Sequence, residues 1–279
     1  MYKGSMVGGY TVIETLIFLA ISSLLFLSAV STIGGRQASV QFTQATRDAQ
    51  SKIQELINQV STGYYPSAGY TCTASVAGLS FTNISSVQGT SKDCVFLGKV
   101  LKLGANTAVL GKDAAGDYSV INVAARRLND ATKKEVISLA EATPTAIRAS
   151  TSTQRFQYGL AVTRIIDPVS GNRFGSIALF SSLPKNQGST GTLASGTLRV
   201  GYAGVPGSNL TDTVADAETK ASGVTDAVMN PINGLVICMA DNAVVSDATR
   251  KAMITVGEGR GQAVVKLDTG NYNSALCEG

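Results

Sequence analysis

An uncharged run from Thr15 to Gly35, TLIFLAISSLLFLSAVSTIGG, constrains this chain more than any other feature. At ~1.5 Å per helical residue its 21 residues reach about 31 Å, enough to cross the hydrocarbon core of a bilayer. The run accounts for part of a wider apolar bias, since 44% of the 279 residues are hydrophobic and only 15% are charged. A chain so poor in charge collapses, which excludes disorder as a description of the whole. The length allows one large domain, or a small appendage and one domain of ordinary size.

The helical pattern continues past the uncharged run. Phe42, Ala45, Ala49, Ile53, Leu56, Ile57 and Val60 step by three and four, with Arg36, Arg47, Asp48, Lys52 and Glu55 between them. That is a one-sided, amphipathic stripe. Gly34-Gly35 is a place for a kink, and Ser61-Thr62-Gly63 before Pro66 ends the pattern. Residues 10–62 therefore read as one long helix, with a transmembrane segment at about 15–35.

From Tyr70 the texture changes to short strand-like runs separated by Gly, Ser, Asn and Pro. Strands are expected at Cys94–Leu103, Tyr118–Ala124, Phe156–Ile166, Arg173–Phe180, Thr197–Tyr202, Leu235–Met239, Lys251–Val256 and Gln262–Leu267. Asp167-Pro168-Val169-Ser170-Gly171-Asn172 reads as a hairpin turn. One short helix is expected at Asn129–Ala142, started by Asn129 or by the capping box Thr132-x-x-Glu135. Asn209–Asn230 is ambiguous. The fold class is thus α+β: a long N-terminal helix, membrane-spanning and then amphipathic, packed on a β-rich head over residues 63–279.

The chain has no histidine, which removes Ser-His-Asp and Cys-His nucleophile systems, HExxH zinc sites and imidazole acid–base chemistry. No catalytic residue, metal site or cofactor is expected. The four cysteines, Cys72, Cys94, Cys238 and Cys277, lack CxxC spacing, so zinc-knuckle and thioredoxin-like readings fall away. An even count behind an export-like N-terminus fits disulfides. Of three connectivities the two local ones are favoured, Cys72–Cys94 and Cys238–Cys277; four buried thiols are the alternative.

The first nine residues, MYKGSMVGG, precede Tyr10-Thr11-Val12-Ile13-Glu14 and then the apolar run. This arrangement resembles the type IV prepilin family, which includes the pseudopilins. The resemblance implies a leader at 1–9, cleavage between Gly9 and Tyr10 by an aspartyl prepilin peptidase, and methylation of the Tyr10 amine. It implies an assembly role for Glu14 and a pilin fold. The chain departs from the family in having Tyr10 where Phe is usual and in a weakly basic leader. A carboxylate at the centre of a bilayer costs ~2.5–3.5 kcal/mol, so Glu14 needs a partner or a place at the interface. The amine of a neighbouring subunit's Tyr10 would supply one and set the axial register between helices.

The expected function is a structural subunit of a type IV pilus or pseudopilus. Its partners would be other pilin subunits, the prepilin peptidase, a membrane assembly platform and, before assembly, membrane lipid. Its location would be single-pass in the cytoplasmic membrane, then the pilus at the cell surface. Gly234–Cys238 and Arg250–Leu267 resemble the terminal hairpin of H-type pseudopilins, which favours a minor or initiating subunit. The C-terminal Cys277 resembles the disulfide loop of pilins.

Other readings of the N-terminus are an ordinary membrane anchor on an extracellular binding or adhesion protein, and a secretory signal cut near Ala29 to Ser31. The apolar core exceeds the 7–15 residues of a signal. Gly257-x-Gly259-x-Gly261 reads as a hairpin turn, because no helix follows to receive phosphate. Asp113 and Asp117 are too few for calcium. Arg126, Arg127, Lys133, Lys134, Arg250, Lys251 and Arg260 could meet DNA, but a net charge of +4 is mild for phosphate binding. Asn83-Ile-Ser85 and Asn209-Leu-Thr211 match the short glycosylation sequon.

Overall fold

The structure, a computed structural model, describes residues 11–63, 70–75, 78–83, 93–104, 116–129, 132, 134–181, 183, 199–241, 250–257, 263–268 and 274–278. The chain forms two compact units, Met1–Thr43 and Gln44–Gly279. Helix α1 runs Val12–Ser61 and is helical through Gly34-Gly35, in keeping with the one long helix expected. Two glycines each cost a helix about 1 kcal/mol relative to Ala, which weakens this stretch. The mixture of helix and sheet is α+β.

Within the first unit, Val12–Ala29 is long and apolar enough to cross a membrane, and none of it is buried. In the second unit, α1 buries Ala45, Ala49, Ile53, Leu56, Ile57 and Val60 on one stripe. Gln44, Arg47, Ser51, Glu55 and Asn58 occupy the exposed face. Small residues at 45 and 49 suit a close approach to what lies beneath.

The second unit is otherwise β-rich. β1 (Tyr70–Ser75) and β2 (Gly78–Asn83) pair as a separate hairpin. A first sheet is built from β3 (Cys94–Leu103), β4 (Asp117–Arg126), β5 (Thr145–Ala146), β6 (Ser152–Arg155), β9 (Ser176–Ser181) and β10 (Val200–Gly204). Its order is β10-β9-β3-β4-β5, with β6 also paired to β4. A second sheet has β7 (Leu160–Ile166), β8 (Arg173–Phe174), β11 (Leu235–Asp241), β12 (Lys251–Val256) and β13 (Val265–Asp268), in the order β13-β12-β11-β7-β8. The pairings in both sheets are antiparallel.

β3 and β4 are almost continuously buried rather than alternating, because the first sheet is covered on both faces. One face presents Val100, Ile121, Val123, Ala178 and Ala203 to Leu139 of α2 (Leu139–Ala142) and Ala217 of α3 (Val214–Lys220). The other face meets α1, where Lys99 Nζ donates to Gln59 Oε1 at 2.5 Å. Gln50 Nε2 donates to the Val265 carbonyl at 3.3 Å, so α1 is tied to both sheets.

Tyr202 stitches the two sheets at one end. Its backbone N–H donates to Asn230 Oδ1 at 3.0 Å, and its carbonyl accepts from Asn230 N at 2.7 Å. Its hydroxyl donates to the Pro231 carbonyl at 2.8 Å, and burial pushes that phenol's pKa up, with Asp167 adding to the effect. The ring lies against Gly257, the residue after β12, where a Cβ would overlap the ring and its hydroxyl.

Three expectations are corrected. Asn129–Ala142 is not one helix: Leu128 bridges Glu135, Asn129 N donates to the Lys134 carbonyl at 2.8 Å, and among the described residues of this stretch helix is confined to α2. An ion pair between Arg127 and Glu135 at 3.5 Å favours this turn, and Ser138 rather than Thr132 supplies the N-cap. The strand expected from Phe156 begins only at Leu160, because Tyr158 and Gly159 adopt left-handed backbone conformations (φ 55° and 70°) that end the preceding segment. The run expected at Arg173–Phe180 is divided at Gly175 into β8 and β9. The ambiguous Asn209–Asn230 stretch holds α3, opened by a capping box between Thr213 and Asp216.

Gly257 has φ +81°, and its Cβ position is filled by Tyr202. Gly257→Ala is therefore expected to cost more than about 2 kcal/mol, through backbone strain and displacement of the Tyr202 ring. Urea unfolding of the variant against the parent protein measures this.

Candidate functional site

The N-terminal segment of α1 is the candidate site. Gly9 and Tyr10, the expected cleavage pair, lie outside the described residues. Thr11 precedes the helix, and its carbonyl and hydroxyl both accept from the Glu14 N–H, at 3.1 and 3.4 Å. Thr15 Oγ1 donates to the Val12 carbonyl at 2.8 Å. Thr11-x-x-Glu14 thus has the sequence pattern of a capping box, a local signal that the reading of this segment passed over. Glu14 is the acid of the first helical turn, where the helix dipole favours negative charge. Among the described residues its carboxylate accepts no hydrogen bond.

Around Glu14 the helix is apolar on every side. Val12, Ile13, Leu16, Ile17, Phe18 and Leu19 are all exposed, as are Leu24, Leu25, Phe26 and Leu27 further along. Exposed apolar surface of this extent is not stable against water and calls for lipid or protein to cover it. A helix hydrophobic all round is one that spans a membrane or is buried in protein.

Two disulfides close the body. Cys72 on β1 is bonded to Cys94 at the start of β3, and Cys238 on β11 to Cys277 in α4 (Ser274–Glu278). These are the two local pairs of the three possible connectivities. The first holds the β1–β2 hairpin to the first sheet, helped by an Arg126 guanidinium that donates to the Ser75 carbonyl. The second holds α4 on the second sheet, where Cys238 and Cys277 pack with Ile166 and Val236, and Arg164 donates to the Leu276 carbonyl at 3.0 Å. Loops of 22 and 39 residues give about 3 and about 4 kcal/mol of stabilisation in the chain-entropy account.

The remaining candidate residues are dispersed. Asp113 lies outside the described residues, and Asp117 is paired with Arg155 at 2.5 Å. Gly257 follows β12, which pairs antiparallel with β13; Gly259 and Gly261 lie outside the described residues. Of the basic residues, Arg126 is buried, Arg127 pairs with Glu135, and Arg250 pairs with Asp241 at 3.1 Å. Lys133 and Arg260 lie outside the described residues. Asn209 sits in a turn, its N–H donating to Asp212 Oδ2 at 2.8 Å, and Asn83 ends β2.

Sequence reasoning missed two buried lysines on β3. Lys102 is 2% exposed and donates to the carbonyls of Leu103, Gly104 and Leu210 at 3.0, 2.6 and 3.0 Å. Nothing local distinguishes it from a surface lysine; only the covering of both sheet faces buries it. Burial pushes its pKa down to about 8 from the ordinary 10.5, with Asp212 opposing. Between those values the unfolded chain binds more protons than the folded one, so this group adds stability as pH rises through that window. Urea unfolding between about pH 7.5 and about pH 9.5 is expected to show that rise in the parent protein and to lack this component in Lys102→Met. An equal pH dependence in both would contradict it.

No protein-family model matches the chain, and neither a curated protein nor a solved structure matches it significantly.

Proposed function

We propose that the chain is a structural subunit of a type IV pilus or pseudopilus, with the pilin fold. In this reading it waits in the cytoplasmic membrane and enters a filament at the cell surface by helix packing, after cleavage between Gly9 and Tyr10. The observation that carries the reading is the helix itself. Its first part is apolar on every side and uncovered, with one carboxylate, Glu14, in its first turn. Its second part is the buried spine of a β-rich, disulfide-closed body. Such a helix suits two successive environments, lipid and then copies of itself.

Glu14 gives the exchange a direction. In lipid its carboxylate has to stay near the headgroups, because a charge at the bilayer centre costs ~2.5–3.5 kcal/mol. In a filament the methylated Tyr10 amine of a neighbour offers it an opposite charge in an apolar core. Assembly then relieves a penalty that the membrane imposes, and the helices register wherever amine and carboxylate meet. A prepilin peptidase and a membrane assembly platform are the partners this requires. The β11–β12–β13 region, whose residues resemble the terminal hairpin of H-type pseudopilins, favours a minor or initiating subunit.

A membrane-anchored binding or adhesion protein that never polymerises would use the same span, and Glu14 separates the two readings. Glu14→Ala is expected to insert in the membrane at the parental level yet fall by about tenfold or more in sheared filaments, which corresponds to losing ~1.4 kcal/mol or more of assembly energy. Immunoblots of membrane and sheared fractions measure both. Incorporation of the variant at the parental level would contradict the register role of Glu14.

A further inference from the structure

The two buried lysines of β3 differ in what surrounds the amine. Lys102 has three carbonyl acceptors for its three N–H bonds, the arrangement a buried ammonium needs. Lys99 is 4% exposed, and Gln59 Oε1 at 2.5 Å is its one hydrogen-bond acceptor among the described residues. Asn122 stands directly opposite on β4. Its Nδ2 donates to the Ser150 carbonyl at 3.2 Å, while its Oδ1 is buried without a partner. Burial of Lys99 with a single acceptor among the described residues disfavours the ammonium and favours the neutral, nucleophilic amine. Burial accordingly lowers the Lys99 pKa, with the Glu55 carboxylate opposing.

That amine meets a carboxamide whose nitrogen is already held by an acid. Gln59 Nε2 donates to Glu55 Oε1 at 3.1 Å, one helical turn earlier on α1. The other Glu55 oxygen accepts from Lys52 at 3.4 Å. Amine, carboxamide and carboxylate are therefore in sequence, with the acid at the nitrogen that would have to leave.

We propose that Lys99 and Gln59 join in an intramolecular isopeptide bond that welds the end of α1 to β3, with Glu55 carrying the proton. The neutral Nζ attacks Gln59 Cδ, and the bond from Cδ to Nε2 breaks as Nζ gives up one proton to Glu55 and Glu55 passes one to Nε2, the nitrogen it already holds. An amine and a carboxamide become a secondary amide and ammonia, Glu55 ends as it began, and no oxidant or cofactor takes part. The weld lies just before α1 ends at Ser61. Tension along the helix would then load a covalent bond in place of a hydrogen bond. The advantage of that in a filament rests on the function proposed above; the bond itself does not.

The test is mass spectrometry of the purified full chain with its disulfides reduced. The expected result is a branched tryptic peptide joining Gln59 to Lys99, lighter by one ammonia than its two unlinked parts. Lys99→Met and Glu55→Gln are both expected to yield the unlinked peptides. Glu55 is exposed, so its variant keeps the comparison usable if Lys99→Met fails to fold. Unlinked Gln59 and Lys99 in the parent chain, or a branch mapped to Asn122, overturns the proposal. Linkage retained in Glu55→Gln overturns the role given to Glu55.

Discussion

Burial of one stripe of α1, from Ala45 through Ile53 to Val60, is the constraint on which the β-rich body rests. The stripe turns an amphipathic helix into the cover of the first sheet, and Gln50 carries the same helix to the second. Because that sheet is covered by α1 on one side and by α2 and α3 on the other, its central strands are buried on both faces. Lys99 and Lys102 are buried for the same reason. The helix that organises the body is also the one whose preceding residues are apolar all round. The proposed assembly segment and the architectural spine are thus one continuous element.

Much of the fold was legible because burial writes a period into the residues. The step of three and four in α1 and the apolar runs of β3, β4, β11 and β12 each lie where a continuous apolar surface is needed. β6 was illegible for the opposite reason. Ser152-Thr153-Gln154-Arg155 has no apolar alternation and is exposed throughout. It is held by side-chain pairs across to β4: Arg155 with Asp117, Gln154 with Tyr118 at 2.5 Å, and Thr153 with Ser119 at 2.8 Å. Those pairs join residues more than thirty positions apart, so no local window contains them. The Asn129–Ala142 helix failed similarly, since the bridge from Leu128 to Glu135 outweighs a weak helical pattern.

The candidate site divides along the same line. The apolar span and the single acid at its start are local and can be read directly. The meaning of Glu14 is not local, because its proposed counter-charge belongs to another subunit and exists only after processing. The lysine, carboxamide and acid near the end of α1 could not be read at all. Lys99, Gln59 and Glu55 look like ordinary surface residues until the packing of α1 on β3 removes one of them from water.

The central claim is that this chain is processed and assembled rather than simply anchored. It is tested most directly by the mass of the mature N-terminus in protein recovered from cells that make it. The account predicts a chain beginning at Tyr10 with a methylated α-amine. A chain that retains residues 1–9, or one that begins downstream of Glu14, would contradict it.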